Sequence, residues 1–283
     1  MKIIQSFRGN KYNNVEDCQW LAINTCMYGL SVILCKKHGY YVKLYCDSVF
    51  YKYIKDTGIE LLYDEIDLSV DNYPIPPKHI FADVKFRVME NEDIGDIHMD
   101  GDVFLFKSDI IDSVIYEDFD VLVQNKETLY NTSRMYWESS ANSICKCEKP
   151  QWAKEECEEM YNCGIICIKN EKLKKEYFNT YWKMYNEYDV KGIKEYTIPD
   201  IIFEQQYLVD LCNVRNYKVK ELLPTDNFKN HAKEIGYSHL MGYAKHKHIG
   251  NVLKVIYKYD KEIYFQLKKK FYGKEIPRRH WFI

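Results

Sequence analysis

Two aspartates one residue apart, Asp100 and Asp102, are the residues whose types and spacing first suggest chemistry. They lie between the apolar runs Ile97-His98-Met99 and Val103-Phe104-Leu105-Phe106. A strand that ends at Asp100 leaves both carboxylates at the carboxyl edge of a sheet, where open α/β sheets usually bind ligands. The pair is therefore a candidate binding site.

The spacing alone is weak evidence, because roughly one D-x-D is expected by chance in a chain of this composition. A second one, Asp118-Phe119-Asp120, is indeed present. The alternative reading of the first pair is a turn between two strands, in which Gly101 supplies the bend. The context of each pair must decide between a site and a turn.

Composition narrows the class of protein. The 283 residues suffice for one large α/β domain or two small ones, and 46% hydrophobic with 29% charged residues is typical of a folded protein. A formal net charge of −2 implies no general attraction to nucleic acid. Neither G-x-G-x-x-G nor G-x-x-x-x-G-K is present, which argues against a dinucleotide oxidoreductase or a P-loop enzyme.

The ten cysteines indicate reduced thiols in a cytoplasmic protein, because the chain is large and does not open with a signal peptide. Five of them lack the paired spacing of a zinc site: Cys145, Cys147, Cys157, Cys163 and Cys167. The longest uncharged run, Cys18 to Cys35, is only marginally long enough to cross a membrane and contains polar residues. We therefore predict no transmembrane span.

Strands and helices alternate in the first half of the chain, which predicts a doubly wound, mainly parallel sheet. The predicted elements there are a strand at Lys2 to Phe7, a helix at Trp20 to Lys37 with Asp17 as its N-cap, a strand at Tyr41 to Cys46, a short helix capped by Asp47, a strand at Leu61 to Tyr63, a helix at Lys78 to Asn91 and a strand at Asp96 to Met99.

The second half predicts strands at Phe119 to Val123, Tyr161 to Ile168 and Tyr217 to Leu222, and helices at Glu171 to Tyr188, after Pro199-Asp200, and at Val252 to Phe271. The polar and aromatic stretch from Thr128 to Met160 is typical of a variable substrate loop.

Four motifs in this order resemble the GT-A type nucleotide-sugar glycosyltransferases, in particular the retaining family-eight group that includes glycogenin and bacterial lipopolysaccharide galactosyltransferases. The resemblance extends to related bacterial glycosyltransferase-like proteins and covers the chain from Lys2 to Lys245. The motifs are the D-x-D of Asp100 and Asp102, Asn162-Cys163-Gly164-Ile165, Glu204-Gln205, and the H-x-x-G-x-x-K from His239 to Lys245.

The resemblance implies a metal site made of Asp100, Asp102 and His239, with Lys245 on the diphosphate of a sugar donor. Mg²⁺ or Mn²⁺ typically takes one or two carboxylates together with substrate oxygens, and an imidazole ligand favours Mn²⁺. A polar loop histidine and a solvated lysine are the alternatives for His239 and Lys245. The fold expected from the resemblance is the GT-A fold, an α/β architecture with a mixed, mainly parallel central sheet flanked by helices.

Other roles follow from the same resemblance. Asn162 would face the donor sugar, Glu204 and Gln205 would lie near the reacting carbon, and Lys85 would lie near the diphosphate. Asp47, at the end of the second strand, is placed where a nucleoside binds. The alternatives are a capping or sheet-edge amide for Asn162 and Gln205, a solvated helix face for Lys85 and a simple N-cap for Asp47.

The implied function is metal-assisted transfer of a sugar from a nucleotide diphosphate sugar, with UDP the expected nucleotide, to a carbohydrate or glycan acceptor with retention. It implies a role in bacterial polysaccharide biosynthesis. The sequence departs from the family at His246-Lys247, where the family has Pro-Trp, and at Glu204, where it has Asp. Two alternatives stay open: a nucleotide-binding or scaffold protein without turnover, and a haloacid-dehalogenase type phosphatase, which also uses a D-x-D.

For domain organisation, we predict a glycosyltransferase-like domain at residues 1–245 and a C-terminal helix with a basic and aromatic tail at 246–283. Such a tail is typical of peripheral contact with a membrane surface or an anionic partner. A solvated helix end and terminus is the alternative. The residues concerned are Lys268, Lys269, Lys270, Phe271, Tyr272, Lys274, Arg278, Arg279, Trp281 and Phe282.

Overall fold

The structure is a computed structural model that describes residues 1–10, 15–77, 80–128, 150–151, 159–187, 201–223 and 228–282. Most of the predicted substrate loop and the predicted helix start at Pro199-Asp200 lie outside these residues. The chain divides into two compact units. Unit 1 comprises residues 1–73, 98–110 and 232–283, and unit 2 comprises residues 74–97 and 111–231.

The described strands are Lys2–Phe7 (β1), Tyr41–Cys46 (β2), Glu65–Asp67 (β3), Ile97–Met99 (β4), Val103–Leu105 (β5), Val121–Thr128 (β6), Glu159–Ile168 (β7), Val219–Glu221 (β8) and Tyr237–His239 (β9). The described α-helices are Val15–Lys37 (α1), Ser48–Ile54 (α2), Asp83–Asn91 (α3), Asp112–Ile115 (α4), Glu171–Asn186 (α5), Tyr207–Arg215 (α6), Phe228–Ile235 (α7), Ala244–Tyr259 (α8) and Lys261–Phe271 (α9).

Unit 1 contains four neighbouring strands in the order β3-β2-β1-β4. β1 pairs with β2 in parallel from Lys2↔Tyr41 to Phe7↔Cys46, and β2 pairs with β3 in parallel. A separate two-stranded antiparallel sheet joins β5 to β9. The long helix α1 packs against α2, α8 and β5, so that most of its length is core.

Unit 2 contains β7, β6 and β8 in that order, with β6 antiparallel to β7 and parallel to β8. Helices α3, α5 and α6 supply its apolar core together with the sheet. An aromatic cluster marks the contact between α3 and α5, where the rings of Phe86 and Tyr181 stack with centroids 3.5 Å apart. Helices on a mixed sheet are the architecture that the family resemblance implied.

The predicted fold class, α/β with a mixed and mainly parallel sheet flanked by helices, is thus confirmed. The first strand and the second strand have the predicted bounds. The strand predicted at Leu61 to Tyr63 is wrong, because Ile59–Leu61 forms a 3₁₀ turn after Gly58, whose φ is 83°, and β3 follows at Glu65–Asp67. Of the apolar run, Leu61 is exposed and only Tyr63 is buried, so the run does not continue the sheet.

The C-terminal helix begins earlier than predicted and is broken. Asp260 leaves the helical conformation, with a φ of −150°, and its carboxylate accepts the backbone N–H of Ile263 at 3.0 Å. One residue thus ends α8 and caps α9, because an Asp side chain offers the free N–H groups of a new helix an acceptor. The apolar periodicity on both sides of this residue hid the break.

Helix α1 from Cys18 to Lys37 is long and apolar enough to cross a membrane by length and composition. However, 83% of that window is buried within the protein, as expected for a core helix. In the tail, Phe271, Ile276 and Trp281 are buried, and the Trp281 indole donates to the Ile276 carbonyl at 3.3 Å. This part of the tail is packed, and the membrane contact stays a prediction.

A candidate metal centre

The turn between β4 and β5 fixes the backbone of the two aspartates. The Val103 N–H donates to the Asp100 carbonyl at 3.0 Å. Gly101 faces the ring of Tyr28, and a Cβ added at Gly101 would lie 2.2 Å from two carbons of that ring. The hydroxyl of Tyr28 in turn donates to the Ser6 carbonyl on β1 at 2.6 Å. Only glycine fits between the aspartates, because any side chain there would clash with Tyr28. Gly101 therefore allows both the bend of the turn and its close packing against the ring.

The two-stranded sheet brings a histidine to this turn. β9 pairs with β5 so that His239 lies opposite Val103, and the Leu240 N–H donates to the Asp102 carbonyl at 3.0 Å. One ligand atom from each of Asp100, Asp102 and His239 lies within 4.8 Å of the other two. Among the described residues, the structure thus brings together the three side chains that the sequence analysis assigned to a metal.

The donor set fits a divalent cation. Two carboxylates and one imidazole offer hard oxygen ligands and one borderline nitrogen, and they leave coordination positions for other oxygens. Asp102 is buried, whereas the Asp100 side chain is 35% exposed, so the cluster has an open side. A site of this kind suits Mn²⁺ or Mg²⁺ better than a structural zinc ion, which takes a closed set of four protein ligands.

Asp102 is held by two basic side chains. Its Oδ2 lies 2.8 Å from the Lys245 ammonium, and its Oδ1 lies 3.4 Å from the Nε2 atom of His239. Burial alone would raise the pKa of Asp102, but the charges and hydrogen bonds of Lys245 and His239 outweigh this effect and hold the pKa well below its usual range. Asp102 is consequently an ionised carboxylate.

Helix α1 contributes a second partner for the lysine. The Lys245 ammonium donates to the Oδ1 atom of Asn24 at 3.1 Å, and the amide of Asn24 donates to the Trp20 carbonyl at 2.9 Å. The ammonium also lies 5.3 Å from the centroid of the Trp20 ring. Asn24 was missed in the sequence analysis, since its position in an apolar helix gives no sign of a contact more than 200 residues away.

A buried histidine behind Asp100 was also missed. The Nε2 atom of His98 lies 2.9 Å from the Ser6 hydroxyl, and its Nδ1 atom lies 3.8 Å from Asp100 Oδ1. The imidazole therefore lies beside the candidate ligand Asp100 and is tied to β1 through Ser6. The signal was available in the sequence, because His98 lies two residues before Asp100, on the strand that leads to it.

An aromatic stack lies beside Lys245. The ring of His246 stacks on Trp20 with centroids 5.0 Å apart and on Tyr243 with centroids 5.3 Å apart. Burial lowers the pKa of His246, and the neighbouring charges of Lys245 and His280 lower it further. His246 occupies one of the two positions at which the sequence departs from the Pro-Trp of the resembling family.

Asp47 lies at the end of β2 and binds backbone N–H groups. Its Oδ1 accepts the N–H of Phe50 at 2.8 Å, and its Oδ2 accepts the N–H groups of Gly9 and Asn10 at 2.8 and 2.6 Å. The carboxylate caps α2 and also fixes the loop after β1. The capping role that the sequence analysis kept as an alternative is present.

In unit 2, Lys85 and Glu204 form a buried ion pair. The Lys85 ammonium lies 2.8 Å from Glu204 Oε1 and donates to the Cys163 carbonyl at 2.5 Å, and both side chains are at most 10% exposed. Glu204 belongs to a π-helical turn at Ile201–Gln206, a geometry that is frequent at functional sites. Lys85 is thus not on a solvated helix face.

The amide of Asn162 is part of the sheet of unit 2. It donates to Glu127 Oε1 at 2.9 Å and accepts the Gly164 N–H at 3.0 Å. Asn162 lies opposite Asn125, next to an irregularity in the β6–β7 pairing, and β6 extends to Thr128 rather than ending at the predicted Val123. Gln205, on the π-helical turn, is half-buried.

Fold and site together define an α/β protein with a candidate divalent-metal centre on a strand-end turn. The chain belongs to a family of unknown function, DUF6734, whose model matches residues 1–272. A comparison with curated proteins found no significant sequence match.

Several solved structures are similar to this chain. The galactosyltransferase LgtC, in complex with donor and acceptor sugar analogues, is 13% identical, with a TM-score of 0.43 over 78% of this chain and 73% of its own. The glycosyltransferase GlyE of Streptococcus pneumoniae TIGR4 is 11% identical, with a TM-score of 0.39 over 88% of this chain and 51% of its own.

The inositol-1-phosphate CTP transferase of T. maritima is 10% identical, with a TM-score of 0.42 over 95% of this chain and 96% of its own.

Proposed function

We propose that the protein is a metal-dependent glycosyltransferase that uses a nucleotide diphosphate sugar, with UDP the expected nucleotide, and transfers the sugar to a carbohydrate or glycan acceptor. One observation carries the proposal. Asp100, Asp102 and His239 lie within 4.8 Å of one another, and the ammonium of Lys245 lies 2.8 Å from Asp102 in the same cluster. A divalent cation and an ammonium side by side suit the two adjacent phosphates of such a donor.

The chemistry matches these groups. Transfer forms a bond between an acceptor oxygen and the anomeric carbon and breaks the bond from that carbon to the diphosphate. The electron pair of the broken bond stays on the departing diphosphate, and the proton of the acceptor hydroxyl is released. A metal held by Asp100, Asp102 and His239 would act as a Lewis acid on the phosphate oxygens. Lys245 places a positive charge where the leaving group gains negative charge.

Roles for the other residues rest on the family resemblance. In unit 2, Asn162 is proposed to face the donor sugar, Glu204 and Gln205 to lie near the reacting carbon, and Lys85 to be a basic residue of the donor site. For Glu204 and Lys85 the supporting observation is their buried ion pair, in which Glu204 lies on a π-helical turn. Asp47 is proposed to support the nucleoside through the loop that its carboxylate fixes.

The proposal is tested by thermal unfolding in the presence of Mn²⁺ and UDP. Wild-type protein should be stabilised by both together, by about 2.7 kcal/mol when the ligand is a hundredfold above its dissociation constant. The double variant Asp100→Ala, Asp102→Ala should lose this stabilisation. The variant Asp118→Ala is the matched control, because it alters the second D-x-D at a side chain that is 86% exposed.

If wild type showed no stabilisation, or if the double variant were stabilised as much as wild type, the proposed metal and nucleotide site would be wrong. Release of UDP from a panel of UDP-sugars then separates an enzyme from the alternatives. Binding without release or transfer would favour a nucleotide-binding or scaffold protein. Turnover of p-nitrophenyl phosphate with an acid-labile phosphoaspartate at Asp100 would favour the phosphatase.

A further inference from the structure

Lys245 and a metal ion would compete for one carboxylate. The ammonium lies 2.8 Å from Asp102 Oδ2, and the same side chain is one of the three candidate metal ligands. The Asp102 side chain is 9% exposed and that of Lys245 is 14% exposed, so water screens the interaction little. A divalent cation at this cluster would therefore be repelled by an ammonium a few ångströms away.

A second acceptor is present for the ammonium. Asn24 is buried, and its amide nitrogen bonds the Trp20 carbonyl, which directs its Oδ1 atom to Lys245 at 3.1 Å. Lys245 can thus keep this contact and the face of Trp20 while it leaves Asp102. Neither of these partners carries a charge, so the ammonium needs a new anion.

We propose that Lys245 is an internal counter-ion of Asp102 that couples metal binding to diphosphate binding. Without ligands, the ammonium neutralises the buried carboxylate and weakens the affinity for a free metal ion. When a diphosphate is present, it provides the anion that the ammonium needs, and Asp102 becomes available to the metal. Metal and nucleotide diphosphate therefore bind cooperatively, and this inference rests on the proposed function.

The coupling is measured with Mn²⁺ and UDP. Mn²⁺ affinity is determined by titration calorimetry with and without UDP, in wild type and in Lys245→Met. The variant should bind Mn²⁺ alone on the order of tenfold more tightly than wild type, because the repulsion is gone. The gain in Mn²⁺ affinity that UDP produces should be smaller than in wild type, because only direct contact between the metal and the phosphates would remain. A solvated lysine that serves only the phosphates would leave the affinity for Mn²⁺ alone unchanged.

Two further variants keep the test decisive. Lys245→Gln is neutral but retains a donor for Asp102 and Asn24, so it replaces Lys245→Met if that variant unfolds, and it should also bind Mn²⁺ alone more tightly. Lys247→Met is the matched control, since this exposed lysine lies on the same helix, and it should behave as wild type.

The outcomes separate this inference from the proposed function. Equal or weaker binding of Mn²⁺ alone by the neutral variants, with binding intact in wild type, would overturn the counter-ion role and leave the metal site standing. If wild type bound no Mn²⁺ either in the presence or in the absence of UDP, both the inference and the proposed function would be overturned.

Discussion

The two D-x-D pairs of this chain share a spacing but not an environment. Asp118 is 86% exposed and pairs with Lys218 at the surface, and Asp120 accepts the amide of Asn170. Asp102 is 9% exposed and lies between Lys245 and a histidine. A surface ion pair contributes little to stability, whereas a buried carboxylate must be compensated. The surroundings, and not the spacing, make the first pair a candidate site.

The ion pair of Lys85 and Glu204 gives a prediction at the residue scale. Lys85→Met should destabilise the protein by about 3–5 kcal/mol, because it leaves the buried Glu204 carboxylate without its cation. Glu204→Leu should also be costly, and the double variant should cost much less than the sum of the two. Urea unfolding of the four proteins measures this coupling.

Lys172→Met, an exposed substitution on α5, is the control for that cycle and should change stability by less than about 0.5 kcal/mol. Additive effects of the Lys85 and Glu204 substitutions would show that the pair is not energetically coupled.

At the scale of elements, the small sheet of β5 and β9 assembles the candidate metal centre. It places His239 opposite Val103, although the two residues are more than 130 positions apart in the chain. Helix α1 packs against β5 and contributes Asn24, which contacts Lys245, and Tyr28, which packs on the turn between the aspartates. A short sheet and a core helix therefore position the three candidate metal ligands and Lys245.

Asp64 gives a pH prediction for the edge of the main sheet. Its Oδ2 accepts the Val42 N–H and the Lys36 ammonium, both at 2.7 Å. Burial alone would raise the pKa of Asp64, but the bonds with Lys36 and Val42 lower it. Since the pKa in the folded protein is below that of the unfolded chain, the stabilisation is present above about pH 4 and is lost as the pH falls through the folded value.

Asp64→Asn should therefore lower the free energy of unfolding by about 0.5–1 kcal/mol at pH 7, and this loss should shrink as the pH falls through the folded-state pKa of the wild-type carboxyl. Thermal unfolding across pH measures the difference. The control Asp109→Asn changes an exposed carboxylate and should show no such pH dependence. A loss that persists undiminished at low pH would mean that the charge of Asp64 is not responsible.

At the scale of the whole molecule, buried thiols occur in both units. Cys26 and Cys35 lie in α1, and Cys167 and Cys212 lie in β7 and α6; all four are free and at most 2% exposed. Burial raises the pKa of Cys35, Cys167 and Cys212 to about 12. These cysteines pack as small apolar side chains.

In the native protein at pH 8, these four thiols should resist a short pulse of iodoacetamide, because burial raises the pKa of each well above 8 and each is buried. Peptide mass spectrometry reports each site separately. Cys18, which is partly exposed, is the internal comparison and should react faster, and all sites should react in denaturant. Rapid native modification of Cys26 or Cys212 would mean that these cores open readily.

The sequence by itself determined the α/β class and the bounds of β1 and β2, because apolar periodicity is a local property. Its motifs also named Asp100, Asp102 and His239 as candidate metal ligands. Only the tertiary structure decided what these residues contact. It paired Asp102 with Lys245, placed Asn24 and His98 nearby, buried Lys85 against Glu204, and broke the last helix at Asp260. Such partners come from distant parts of the chain, and their choice depends on burial and charge compensation, which no short segment contains.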